Sequence, residues 1–305
     1  MKNKALIGGL IALAVIVLIA VFCFWVGKKG WDSLRGTGNA NVSRPDNGTR
    51  PPTAPPVQPT TPEQAAQVYL ALGNPSNANA SDPNNYLLAG NYYVVSYSRD
   101  RAIPNWAAWR VTRADMGEVD REDTFRPDDR LPKGWPRVTP ADYTGSGFDR
   151  GHVAPSADRN SSPEAMASTF LMTNMTPQTG DLNRGPWAKF EGYLRTLVTR
   201  GNDVYIVAGV YGEKGKIKNK VTIPTNSWKA AVVVPAGALV PDAVNADTRV
   251  IAVDMPNVKG IKNADWQVYR TTVRDIEQKT GYNLLSNLPQ NLQDALETRK
   301  DNINN

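Results

Sequence analysis

Hydrophobic and polar positions divide the chain into three regimes. Residues 5–26, ALIGGLIALAVIVLIAVFCFWV, are apolar and carry no charge. At 1.5 Å per residue the run makes about 33 Å of helix, enough to cross a hydrocarbon core of about 30 Å. It is longer than a signal-peptide core and no A-x-A-like site follows it. It therefore reads as a single-pass transmembrane helix within an N-terminal anchor, residues 1–35, with a cleaved signal peptide as the alternative. Residues 36–62 hold seven prolines among Gly, Thr and Asn, with almost nothing large and apolar. Such a stretch cannot bury a core and reads as a disordered tether, about 80 Å long if fully extended.

The third regime, residues 63–305, is globular. Residues 86–99 (YLLAGNYYVVSYSR) alternate apolar and polar positions and are rich in Tyr and Val, which predicts a strand pair or one bent strand. Strands are also predicted over 105–112, 203–209, 228–234 and 249–255, two of them so continuously apolar that they belong at the centre of a sheet. Helices are predicted over 183–199, 272–279 and 290–299. Strands joined mostly by turns, with few long helices between them, indicate an α+β fold.

Charge changes this picture little. Of the net +6, residues 1–35 hold five basic side chains against Asp32, and the remainder holds 30 basic against 28 acidic. Any basic footprint must be a local patch. The positive-inside signal across the apolar run is nearly balanced, with Lys2 and Lys4 before it and Lys28, Lys29 and Arg35 after it.

Counting chemistry-bearing residues excludes more. The chain has one histidine, His152, and one cysteine, Cys23, the latter inside the apolar run. Zinc fingers and H-E-x-x-H sites are therefore impossible, and a metal would have to be a hard, oxygen-bound cation such as Mg²⁺, Ca²⁺ or Mn²⁺. No G-x-S-x-G elbow, Walker A loop or dinucleotide glycine fingerprint occurs. What remains for His152 is a structural role or that of general base beside a hard metal, a pair suited to phosphodiester hydrolysis. In an extended DRGH segment, Arg150 and His152 share one face. Downstream, a helix starting near Asn183 aligns Trp187, Glu191 and Arg195 in four-residue steps. Asn183 is then a metal ligand or a helix cap, and Glu191–Arg195 a site pair or an ordinary surface pair.

DRGH (149–152), APSAD, TFLMTNMTPQ and LNRGPWAKFE, with LGNPSNA, NYLL, PNW and REDTF upstream and VYIVAG downstream, resemble the DNA/RNA non-specific endonucleases. These are sugar-non-specific ββα-metal nucleases, and the resemblance spans roughly residues 70–280. It implies a ββα-metal core with a central, mainly antiparallel sheet flanked by helices. It also implies hydrolysis of DNA and RNA to 5′-phosphate and 3′-hydroxyl ends. His152 would activate water, and Asn183 would be the one direct ligand of Mg²⁺, with Mn²⁺ as a substitute. Glu191 would hold metal-bound water, Arg150 and Arg121 would meet the phosphate, and Arg195 would support Glu191 and the phosphate. Asp149 and Asn174 would fix the motif backbone and the imidazole.

The implied partners are nucleic-acid backbone phosphates, the membrane through the N-terminal helix, and a second copy in a homodimer. An indiscriminate nuclease endangers its own genome, so the expected location is a membrane-anchored domain outside the cytoplasm, on the periplasmic or extracellular side. The alternatives are a silent nucleic-acid-binding envelope protein and a phosphodiesterase acting on smaller substrates.

Overall fold

A computed structural model of the chain describes residues 59–303. Its strands are β1 (Tyr86–Ala89), β2 (Val94–Ser98), β3 (Ile103–Val111), β4 (Asp149–His152), β5 (Met175–Gln178), β6 (Asn202–Tyr211), β7 (Lys216–Ile217), β8 (Val221–Thr222), β9 (Asn226–Pro235), β10 (Arg249–Pro256) and β11 (Arg270–Thr271). Seven form one sheet in the order β1-β2-β3-β6-β9-β10-β11, antiparallel at every junction. β4–β5 and β7–β8 are separate two-stranded ribbons.

Successive side chains of a strand point to opposite faces, and here both faces are covered. On β3, Trp106 and Ala108 enter one apolar cluster while Ala107, Trp109 and Val111 enter the other. Burial on both sides is why β3 and β9 read as nearly unbroken apolar runs. The first face packs against helices α1 (Pro62–Tyr69), α3 (Val273–Thr280) and α4 (Gln290–Glu297), through Tyr69, Ile276 and Leu296 among others. The second packs against α2 (Ala188–Thr199) through Phe190, Leu194, Leu197 and Val198. Numbered here in chain order, these are the helices of eight or more residues among the described residues.

The sheet and its flanking helices follow the hydrophobic pattern closely, including the strand pair over 86–99. Two local features depart from it. β5 (MTPQ) is buried at all four positions and contains a proline, so it shows no alternation to read. The expected helix over 183–199 is regular only from Ala188, because Gly185 is non-helical (φ −114°, ψ −120°) and Pro186 has no N–H to donate. The apolar run 5–26 and nearly all of the tether 36–62 lie outside the described residues. Among the described residues, no helix is long and apolar enough to cross a membrane.

Candidate active site

β4, β5 and the chain leading into α2 form a ββα unit set against the second face of the sheet. In the ribbon, His152 stands opposite Met175 and Asp149 opposite Gln178. Gly151 is obligatory, since a Cβ there would lie 2.2 Å from Oε1 of Gln178. Alternation along the strand sets Arg150 and His152 on one side, and both line the same cleft.

That cleft has two adjoining parts. One, of about 400 Å³, is lined by Arg121, Arg150, His152, Asn183, Glu191 and Arg195, with Arg184 and small neighbours. The other, of about 500 Å³, is lined by Tyr143, Phe148 and Asp149, and shares Arg121, Arg150, Asn183 and Arg184 with the first. The structure thus gathers six of the eight expected site residues in one hollow, adds Asp149 beside it, and leaves Asn174 buried behind the motif.

The His152 ring meets Phe170 edge-on at 4.8 Å between centroids and Phe125 at 5.7 Å. Its Nε2 is enclosed and has no hydrogen-bond partner. Burial, with the positive charge of Arg121 second, pushes its pKa down to about 3, so the imidazole is neutral across the working pH range. Asn174 clamps the backbone that follows. Its Oδ1 accepts from Ala154 N at 3.0 Å, and its Nδ2 donates to the carbonyls of Ala154 and Thr169, each at 2.9 Å. The imidazole itself is held by the two phenylalanine rings and not by Asn174.

Asp149 accepts from Nδ2 of Asn183 at 3.0 Å and pairs with Arg184 at 3.0 Å. A carboxylate only accepts, so it fixes the amide with nitrogen inward and leaves Oδ1 of Asn183 for another partner. The same oxygen suits a hard cation. Among the described residues no group of three His, Cys, Asp or Glu could cage a metal. A cation here would therefore keep most of its water, as Mg²⁺ does.

Glu191 and Arg195 do not pair as expected. Glu191 accepts instead from Nζ of Lys229 at 2.9 Å, and Lys229 on β9 is fully buried. The ammonium lies 4.4 Å from the ring centre of Trp187 and 5.3 Å from that of Trp109. Burial raises the Glu191 carboxyl, and the charges of Lys229 and Arg195 pull it back. Arg195 donates to Oδ1 of Asp158 at 2.9 Å, while Oδ2 of Asp158 accepts from Nε1 of Trp109 at 3.0 Å. Arg150 covers the ring of Phe125 at 4.3 Å, and Arg121 that of Phe170 at 5.2 Å.

Lys229, Asp158, Arg184 and the two phenylalanines are the site's unexpected members. Lys229 left a sequence signal: one cation in WKAAVVV, in step with Ala231 and Val233, requires a buried anion. Asp158 and Arg184 left none, because surface-type residues in loops reveal no partner.

Comparisons with known proteins identify the family. Residues 73–291 match the family model described as DNA/RNA non-specific endonuclease. A nuclease of Nostoc sp. is 48% identical over 238 residues, covering 77% of this chain and 86% of its own length. The mitochondrial nuclease EXOG of Xenopus laevis is 31% identical over 204 residues, covering 62% of this chain and 55% of that protein. Among solved structures, EndoG in complex with EndoGI superposes with a TM-score of 0.61 at 22% identity, covering 74% of this chain and 92% of that one, and so shares the fold. The expected single-pass membrane protein with its domain outside the cytoplasm is corrected by these findings. No described helix can span a membrane, and a relative over most of the domain bears a mitochondrial name. On the matched residues and the Nostoc relative, the chain belongs to the DNA/RNA non-specific endonuclease family and is a nuclease.

Proposed function

We propose that residues 63–305 form a Mg²⁺-dependent endonuclease that cleaves DNA and RNA without regard to sugar, leaving 5′-phosphate and 3′-hydroxyl ends. The observation that carries this reading is one hollow holding His152, four arginines, Glu191 and an asparagine whose amide nitrogen is taken by Asp149. Nδ1 of His152, whose other ring nitrogen is enclosed without a partner, takes the proton of the attacking water. After burial, the charge of Arg121, itself paired with Asp123 at 2.7 Å, disfavours the imidazolium. A phosphodiester seated on Arg121 neutralises that charge, so substrate itself strengthens the base. Arg150, Arg121 and Arg195 meet the non-bridging phosphate oxygens as negative charge develops on them. Mg²⁺, or Mn²⁺ in its place, would be held by Oδ1 of Asn183 and would neutralise charge on the phosphate and the departing 3′-oxygen. Glu191 accepts hydrogen bonds from water in the cleft, and the charge of Lys229 opposes the upward push of burial on its carboxyl. These contacts reach backbone phosphates and no base edge, which is how sequence and sugar go unread.

The purified full chain incubated with plasmid and with RNA tests this directly. Digestion in Mg²⁺, its loss in EDTA, recovery with excess Mg²⁺, and ligation of the products without prior phosphorylation are expected. DNA and RNA both left intact in Mg²⁺ would overturn the reading. Hydrolysis of bis-p-nitrophenyl phosphate without cleavage of either polymer would turn it toward smaller substrates.

A further inference from the structure

The cleft does not end at the arginines. A third hollow, of about 320 Å³, shares Thr144 and Phe148 with the 500 Å³ part and continues to the β7–β8 ribbon, where Lys216 and Lys218 line it. No carboxylate is among its lining residues. The ribbon carries Lys214, Lys216, Lys218 and Lys220 within seven residues. Only Lys220 is committed to a neighbour of opposite charge, pairing with Asp142 at 2.8 Å. Lys216 and Lys218 are exposed and donate to the carbonyls of Asp100 and Ala141. Carbonyl contacts supply no counter-charge, and the Asp100 carboxylate near Lys216 is already paired with Arg99 at 2.9 Å. Between the arginines and these lysines lies the half-buried ring of Phe148, with the Lys214 ammonium 5.9 Å from its centre.

The ribbon's turn supplies a second, independent observation. Lys220 N donates to Ile217 O at 2.9 Å, and the two residues between them, Lys218 and Asn219, have φ of +47° and +54°. Such a turn favours Gly or Asn at both central positions, and a lysine there is strained. A residue unsuited to its backbone at the tip of a ribbon beside a substrate cleft points to work done by the side chain.

We propose that the β7–β8 ribbon is a binding subsite for the polymer, in which Lys216 and Lys218 hold backbone phosphates flanking the scissile bond and Phe148 floors the path between. This rests on the nuclease reading above. The subsite gives the enzyme its grip on long nucleic acid and plays no part in the chemistry. Lys216 and Lys218 line neither part of the cleft around His152 and Asn183, so a small diester seated there does not need the ribbon.

The test compares the wild-type full chain with Lys218→Asn and with Lys216→Gln/Lys218→Asn. Binding of a fluorescein-labelled DNA oligomer is followed by anisotropy in EDTA across a salt series, alongside KM and kcat on long DNA, hydrolysis of bis-p-nitrophenyl phosphate, and thermal melting. Each lost phosphate contact should lower the slope of log affinity against log salt by about one. KM on long DNA should rise several-fold, with kcat and the small-diester rate unchanged. Lys218→Asn should melt no lower than wild type, because asparagine accepts positive φ more readily. An unchanged salt slope and KM would overturn the subsite. Equal losses on DNA and on the small diester would also overturn it, since the lysines would then act through the catalytic hollow. Binding is read without catalysis, so an inactive wild type would sink the nuclease reading alone.

Discussion

Trp228 and Lys229 are neighbours on β9, yet they belong to different worlds. Trp228 enters the apolar cluster beneath α1, α3 and α4; Lys229 enters the face that carries the cleft. On the far face the large side chains, Trp106, Trp228 and Tyr69, act by removing apolar area from water. On the near face Trp109 and Trp187 do that too, and also wall in a lysine–glutamate pair. Burying two charges costs several kcal/mol each before their attraction is counted, so a buried pair is a weak source of stability. Its return here is geometric: the Lys229 ammonium fixes Glu191 at the edge of the cleft. The near face thus adds a placed charge pair at the cleft to its own apolar packing.

The largest expected effect tests whether the near face is chemical at all. His152→Ala should lower kcat on plasmid DNA by about 10²–10⁴, with DNA binding and the circular dichroism spectrum retained. Wild-type kcat in this variant would remove His152 from the mechanism.

Next comes the pair of neighbours. Lys229→Met strands a buried carboxyl. A loss of about 3–5 kcal/mol in stability is expected from the broken pair, with kcat down about 10–100-fold as the support of the cleft fails. Glu191 is already raised by burial, and without its cation it rises further. The acid limb of the activity profile should therefore move to higher pH. Trp228→Ala should cost about 3–5 kcal/mol through the cavity it leaves, read by urea unfolding, while kcat per folded molecule stays at the wild-type value. Equal kcat losses in the two variants would erase the distinction between the faces.

The smallest effect is a pair of opposite pH responses. His152 is held down to about 3, below its unfolded value near 6.5. The unfolded chain thus binds a proton the folded chain refuses, and this contribution to stability is lost as pH falls from 6.5 toward 3. Glu297 on α4 is buried beside Glu277 and pairs with Arg274 at 2.7 Å; burial, then the Glu277 charge, raises it to about 7. Its contribution is full below about 4.5 and is lost as pH rises through 7. Melting temperatures across pH should show Glu297→Gln removing a loss of stability as pH rises from about 4.5 to 7, and His152→Gln removing a loss as pH falls from about 6.5 toward 3.

Much of the site was legible because its chemistry is sparse. One histidine and no thiol outside the apolar run left a hard metal and a base as the active pairing. The four motif blocks then located Arg150, His152, Asn183 and Glu191. Less legible were the contacts each residue makes. Arg195 stands one helical turn from Glu191, the spacing of an ion pair, but Asp158 arrives from the loop after β4 and takes it. Glu191 turns inward to a strand 38 residues on. A four-residue step places two side chains on one stripe; it does not say which third group will reach them first.

The sequence alone determined the alternation that builds a two-faced antiparallel sheet, the two-residue spacing that sets Arg150 and His152 on one side, and the inventory from which any catalysis must be made. Those are local properties, set by backbone sterics, strand periodicity and residue identity. Tertiary structure alone decided that Lys229 supports Glu191, that Asp149 turns the Asn183 amide, and that phenylalanines from two separate loops enclose the imidazole. Each of those depends on groups far apart in the chain meeting where water is excluded, and there the strength of a charge or a hydrogen bond is set by its surroundings.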